Sequence, residues 1–354
     1  MPLTLVLANT PRGLTLESII AAGALLYFNR SSFLLKWVLK MLQENHQIIS
    51  INADDDVGVV LKIHLWPATK ASGWVHIMHG MSEHGARYDH LAKALNKAGY
   101  HVSADDHRGH GLTSINAQGL GHLDDHDGWN KIVSDQLTII SHLQQQWSQP
   151  LTIYGHSLGT FLATRVVQRY AKRLKPFLKS LVLSAGSYRP PWLYRIALVP
   201  ISFELWRQGP LGHSDLVDRL SFGHFNNAFK PVRTPKDWIS SDHKVVDAYI
   251  ADPFAGHRIS NQFWLDLMNG LIELHDPDSM AQIDPDLPIY MFSGDKDAVG
   301  KQGEYVVGLQ KALKRAGSKH LTYKLYPNGR HEMINEPNKE QVIDDLLVWL
   351  DGLN

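Results

Sequence analysis

The sequence contains no cysteine among its 354 residues. This removes disulfides, thiol nucleophiles and thiolate metal sites, so any covalent chemistry must use another nucleophile. Net charge is absent as well, because 35 lysine and arginine residues balance 35 aspartate and glutamate residues. Without a global positive field, nucleic acid is disfavoured as a partner. Nor is there a hydrophobic run long enough to span a bilayer. The apolar stretch "SIIAAGALLYF" at 18–28 is about half of what a membrane-spanning helix needs. Arg12 and Glu17 precede that stretch, and no small-x-small cleavage site follows before Asn29 and Arg30, so it reads as uncleaved. The expected location is the cytoplasm, with or without peripheral attachment to a membrane. No internal repeat or low-complexity tract interrupts a chain that is long enough to bury a sizeable core.

After Ser31 and Ser32, which are suited to cap a helix, the pairs Phe33/Leu34, Trp37/Val38 and Met41/Leu42 recur every four residues with Lys36 and Lys40 between them. This spacing predicts an amphipathic helix in an N-terminal extension over 1–46. Two readings stand open for it: a helix packed on its own domain, or a basic anchor on a membrane surface involving residues 16–44.

From about residue 47 the pattern changes to short β-rich runs alternating with helical stretches, the sequence form of a mostly parallel sheet flanked by helices. "QIISIN" and "GVVLKIHLW" read as an opening pair. "WVHIMHG", "YHVSADD", "LTIYG", "SLVLSAG", "PIYMFSG" and "LTYKLYP" read as inner strands. Helices are expected at about 87–98, 130–147, 158–174, 302–316 and 338–351. Between "LVLSAG" and "PIYMFSG", residues 187–286 hold many prolines, glycines and aromatics but no strand-then-helix unit. They read as an inserted, mainly helical cap between two parts of an α/β core, 47–186 and 287–354.

Gly155-His156-Ser157-Leu158-Gly159 is G-x-S-x-G, placed after a predicted strand and before a predicted helix. At such a turn a serine hydroxyl is exposed on a strained backbone, the flanking glycines let strand and helix approach, and the helix N-terminus favours developing negative charge. The hydroxyl needs a base, and the base needs an acid to hold its tautomer. In sites built on this turn the acid and then the base follow on loops after later strands. "SGDKDAVG" offers Asp295 and Asp297, and "NGRHEMINE" offers His331 before the final helix. An oxyanion needs two backbone N–H donors. Leu158 supplies one, and Met81, after the strand ending in His79-Gly80, supplies the other.

The stretches "HGMSEHGARYDHLA", "DDHRGHGLTS", "GHSLG", "SGDKDAVG" and "PNGRHEMINE" resemble, in order and spacing, the monoacylglycerol lipase and lysophospholipase group of α/β-hydrolases, also described as serine aminopeptidase-like. The resemblance spans about 47–354. It is specific in these five motifs and positional in the cap. It implies the α/β-hydrolase fold, with Ser157 as nucleophile, His331 as general base, and Met81 and Leu158 as oxyanion donors. It also implies Asp297 as the acid, three residues after Gly294, which leaves Asp295 to shape its loop. It implies a two-step acyl transfer without a cofactor.

Three further groups invite a reading. "GHLDDHDGW" at 121–129 gathers potential metal ligands, but adjacent ligand types on a surface loop are more often solvated, and no H-E-x-x-H pattern is present, so no metal is assigned. Glu83, His84, Asp106 and Arg108 read as braces for the site loops. The cap is dense in aromatics, which suits an apolar acyl pocket. Trp192, Phe203 and Trp206 are candidate substrate contacts, and the run "PPWLYRIALVPISFELW" is a second candidate for lipid contact. The resulting expectation is hydrolysis of a lipid-like carboxylic ester of the monoacylglycerol or lysophospholipid type. The alternatives are a carboxylesterase for short-chain or xenobiotic esters, a peptidase, and a non-enzymatic lipid-binding protein.

Overall fold

In a computed structural model, which describes residues 46–55, 58–116 and 119–353, eight strands pair into one sheet. They are β1 (Gln47–Asn52), β2 (Val60–Trp66), β3 (Gly73–Met78), β4 (Tyr100–Asp106), β5 (Leu151–His156), β6 (Leu178–Ser184), β7 (Ile289–Gly294) and β8 (Leu321–Tyr326). Their spatial order is β1-β2-β4-β3-β5-β6-β7-β8. The β1/β2 and β2/β4 pairs are antiparallel, and every other pair is parallel. The extension expected over 1–46, including the stretch 16–44, lies outside the described residues except for His46.

Strands β3, β5 and β7 are buried along their whole length, as expected of strands covered on both faces, and their apolar side chains alternate between two cores. On one face Val75 and Ile77 of β3, Tyr154 of β5 and Val182 of β6 meet Leu91 and Leu95 of α1 (Asp89–Lys97). On the other face Trp74, Ile153 and Leu181 meet Ile132 and Ile140 of α2 (Gly128–Gln144) and Leu162 and Val166 of α3 (Leu158–Leu174).

Between β6 and β7 the chain forms α4 (Pro191–Gln208), α5 (Asp215–Ser221), α6 (His243–Ala251), α7 (Asn261–Leu274) and the short α8 (Pro277–Met280). Helix starts here carry local caps. The Ser260 hydroxyl accepts the Phe263 N–H at 3.1 Å, and Asp242 accepts that of Lys244 at 2.9 Å. Helix α4 packs against α7. After β7 come α9 (Glu304–Arg315), before β8, and α10 (Lys339–Asp351), whose Ile343 and Leu346 complete the first core. Among the described residues no helix is long and apolar enough to cross a membrane.

Parallel pairing decides which loops become neighbours. Met78 is opposite Gly155, so the loops after β3 and β5 leave the sheet side by side. Gly294 is opposite Tyr326, so the loop carrying Asp295 and Asp297 lies beside the one leading to His331.

Candidate active site

Ser157 sits at the step from β5 to α3 with φ 51° and ψ −114°, a backbone conformation that is costly for a residue with a side chain. The step is possible because its neighbours have no Cβ. One on Gly155 would lie 2.3 Å from the Gly159 carbonyl oxygen, and one on Gly159 would lie 1.9 Å from that of Met78. The Ser157 N–H donates to the Ser184 carbonyl at 3.0 Å, which ties the turn to β6.

The loops after β7 and β8 bring the other two groups. His331 Nε2 lies 2.9 Å from Ser157 Oγ. Its Nδ1 lies 3.0 and 3.1 Å from the two Asp297 oxygens. With Nδ1–H donated to the carboxylate, Nε2 is left to accept the serine proton. Asp297 is fully buried and also accepts from the Ser293 hydroxyl at 3.1 Å and the Val299 N–H at 2.9 Å. Burial pulls the His331 imidazole down, but the Asp297 charge and hydrogen bond, with Glu332 and Glu83 behind them, hold it above its ordinary value. Burial likewise pushes the Asp297 carboxyl up, and His331 outweighs it to leave the group lowered. Asp295 instead accepts the Asn328 N–H at 2.7 Å and shapes the loop. His156, 5.0 Å from His331 between ring centroids, is brought down to about 4 by burial and then by His331, so it stays neutral.

Met81 and Leu158 both border the space in front of Ser157. The Leu158 amide is the first of α3 and has no intrahelical acceptor. The Met81 loop is held from behind. Gly80 N–H donates to Glu83 Oε1 at 2.6 Å, and the Tyr88 hydroxyl donates to the same oxygen at 2.9 Å. Arg87 Nη1 reaches Glu83 Oε2 at 2.6 Å. The same guanidinium grips Glu332, next to His331, at 2.8 and 2.7 Å. The segment between β6 and β7 holds this loop too, through Tyr249 OH donating to the Ser82 carbonyl at 2.9 Å. Glu83 was legible as a brace, whereas Arg87 and Glu332 stand inside two of the quoted motifs without their pairing being readable, because their contact spans 245 positions.

Ser157 and His331 open onto a cavity of about 400 Å³, within the ordinary range for small-molecule sites. Its wall beyond Ser157 and His331 is mostly apolar, with Phe161 of α3, Ala197 and Ile201 of α4, and Leu267 and Leu271 of α7, while Ser187, Arg189, Ser221 and His224 add polar groups. Trp192, Phe203 and Trp206 correct the sequence expectation, since they are not part of this wall. They lie on the outward side of α4, where Trp206 is 80% exposed. Apolar side chains are spread over both sides of the helix, so composition alone marks neither side as inner. Aromatics that do line the cavity include Tyr194, Phe222, Trp238 and Trp264.

The 121–129 loop is less solvated than expected. His122 and Asp124 turn inward, His122 Nδ1 to the Ser260 hydroxyl at 2.8 Å and Asp124 to Lys131 at 2.8 Å. Among the described residues no cluster of His, Asp and Glu is arranged to hold a metal ion. The braces are structural. Asp106 accepts the Gly85 N–H at 2.8 Å and the Leu112 N–H at 2.7 Å, His84 reaches Asp252 at 2.9 Å, and Arg108 joins Asp135 and Asp124.

Comparison with known proteins adds an independent line. The family model described as serine aminopeptidase, S33, matches residues 69–338. The chain is similar to a monoacylglycerol lipase of Mycolicibacterium smegmatis, with 28% identity over 295 residues, covering 83% of this chain and 93% of that one. Among solved structures it is similar to a highly thermostable carboxyl esterase from Bacillus coagulans in complex with glycerol. That match has a TM-score of 0.76 and 27% identity over 87% of this chain and 98% of that one. A lipase in an open form matches with a TM-score of 0.77 and 26% identity, over 87% and 99% of the two chains.

Proposed function

The chain belongs to the serine aminopeptidase S33 family, and from that premise we propose that it is a serine hydrolase cleaving carboxylic esters of lipid-like substrates, of the monoacylglycerol or lysophospholipid type. Ser157 attacks the acyl carbonyl while His331 takes its proton, and Asp297 holds the imidazole in the required tautomer and stabilises the imidazolium. The amides of Met81 and Leu158 receive the oxyanion. His331 then protonates the departing alcohol, and water activated by the same imidazole releases the acid from the acyl-enzyme. No step calls for a cofactor.

The observation that carries the substrate class is the apolar cavity, which begins at Ser157 and runs between α4 and α7. A cavity of this lining favours an acyl chain over a charged one. The family's name invites a peptidase reading, but a substrate ammonium needs a free carboxylate. Among the described cavity-lining residues the only carboxylates are Glu83 and Glu332, and Arg87 takes both. The similarity to a monoacylglycerol lipase and to a carboxyl esterase supports ester substrates of either long or short chain. Peripheral lipid contact belongs to the same proposal. Ile196, Val199, Phe203 and Trp206 form an exposed apolar stripe on α4, while the other side of that helix walls the cavity, so a lipid surface at the stripe would lie one helix away from the acyl pocket.

The test is a homologous ester series from acetate to palmitate, monoacylglycerols included, with Ser157→Ala as the blank. A Ser157-dependent optimum at medium or long chains is the expected result. An optimum at acetate or butanoate would make a short-chain carboxylesterase the better reading. Absence of Ser157-dependent turnover on every member would favour a non-enzymatic lipid-binding protein.

A further inference from the structure

The loop bearing Met81 and the loop bearing His331 are far apart in sequence, yet one buried ion cluster joins them. Glu83 reaches back to the Gly80 N–H at 2.6 Å, immediately before Met81. Arg87 holds Glu83 at 2.6 Å and grips Glu332 with both terminal nitrogens at 2.8 and 2.7 Å. Glu332 follows His331 directly, and it also accepts from the Asn335 amide at 2.8 Å. Both carboxylates border the cavity and are almost fully buried. The guanidinium lies 4.8 Å from the centre of the Tyr249 ring, which closes its outer side.

We propose that Glu83, Arg87 and Glu332 form a single positioning unit, which locks the oxyanion-side loop to the base loop and leaves a surplus of one negative charge behind His331. The inference rests on the ester-hydrolase reading for its catalytic meaning, but its physical content is independent of turnover. A buried ion cluster is costly to desolvate, and a well-packed apolar core serves stability at least as well. The use of this one is placement. Acyl transfer demands that the Met81 amide and His331 Nε2 keep a fixed mutual geometry through two steps, and a misplacement on the scale of an ångström is expensive in rate. The surplus charge acts on the same imidazole, because His331 must become imidazolium in each step, and nearby negative charge favours that form. The charged and titratable groups facing His331 are Asp297, Glu332, Glu83 and the neutral His156, with Arg87 behind the two glutamates. Arg330 turns away, donating to the Asp237 and Ser240 carbonyls.

The test compares Glu83→Gln, Glu332→Gln, Arg87→Met and Arg87→Lys in the full chain. One readout is the pH titration of the His331 imidazole followed by NMR with labelled histidine. The other is kcat and KM on a soluble ester. Each glutamine variant keeps an acceptor oxygen and removes one negative charge, so His331 is expected to titrate at lower pH than in the wild type. Arg87→Met leaves two uncompensated carboxylates and is expected to move the titration to higher pH, with Arg87→Lys between it and the wild type. In every variant kcat should fall by about tenfold or more, with KM changed by less than about twofold. A merely structural role would move all titrations in one direction or none, so coincident midpoints or shifts of a single sign overturn the proposal. If Arg87→Met does not fold, Arg87→Lys supplies the opposite sign, and an upward shift in it beside downward shifts in the two glutamine variants is the expected result. If the wild type hydrolyses no ester, the functional reading fails while the titrations still test the unit.

Discussion

The Asp297 carboxylate faces His331 Nδ1 with both oxygens, at 3.0 and 3.1 Å, from a position that solvent does not reach. A bond of this kind selects the tautomer whose Nε2 is free to accept a proton, so its removal should be felt in kcat rather than in binding. Asp297→Asn is expected to lower kcat by about 10⁴ on any ester the protein turns over. Asp295→Asn, which alters only a loop contact to Asn328, should stay within about threefold of wild type. Steady-state kinetics on both variants check the pair, and a severe loss in Asp295→Asn would reverse the assignment.

The same contact sets the pH dependence. His331 must be neutral to accept the Ser157 proton, and Asp297 holds its pKa above the ordinary histidine value of 6.5. The rate therefore falls as pH drops through a midpoint above 6.5. His156, brought down to about 4, is neutral throughout this range and adds no second limb. A profile of kcat/KM on an uncharged ester between about pH 5 and 9 measures the midpoint, because this ratio reports the free enzyme. A midpoint well below 6.5 would contradict the electrostatics described here.

Gly159 tests the turn itself. A methyl group there would meet the Met78 carbonyl oxygen at 1.9 Å, so α3 must move away from β3. Gly159→Ala is expected to cost about 2 kcal/mol of stability, seen as a fall of several degrees in Tm. Activity should fall further than the stability loss explains, because Met78 leads directly into the loop of the Met81 amide. A variant that melts and turns over like wild type would show that helix and strand are not in the contact described.

Much of this site was legible because turn chemistry and strand order are local signals. The G-x-S-x-G spacing singled out Ser157, and the position after the last strand singled out His331, two side chains that the structure places 2.9 Å apart. The choice between Asp295 and Asp297 was not local. Both sit on one short loop, and only the resemblance, and then the contact with His331, separates them. The eight strands could be listed from their apolar runs, but nothing in the runs stated that Met78 faces Gly155 or Gly294 faces Tyr326, and those registers assemble the site. The pairing of Arg87 with Glu332 was invisible for the same reason, as it exists only after folding. Trp192, Phe203 and Trp206 were misread because α4 is apolar on both sides, so periodicity could not tell the cavity wall from the outer surface.

That outer surface supplies the last test. Val199 is 72% exposed and Trp206 80% exposed, one helical face with Ile196 and Phe203, and neither borders the cavity. Inserting a large apolar side chain into an apolar phase gains about 1.5–3 kcal/mol, so removing one should weaken partition onto vesicles by roughly tenfold or more. Val199→Glu and Trp206→Glu are expected to reduce binding to phosphatidylcholine vesicles by at least that factor in a sedimentation assay, and to slow hydrolysis of vesicle-borne monoacylglycerol in proportion. Hydrolysis of a monomeric soluble ester should remain within about twofold, because the inward side of α4 is untouched. Equal losses on both substrates would mean that the substitutions disturb the cavity wall. Unchanged vesicle binding would assign the stripe no part in lipid contact.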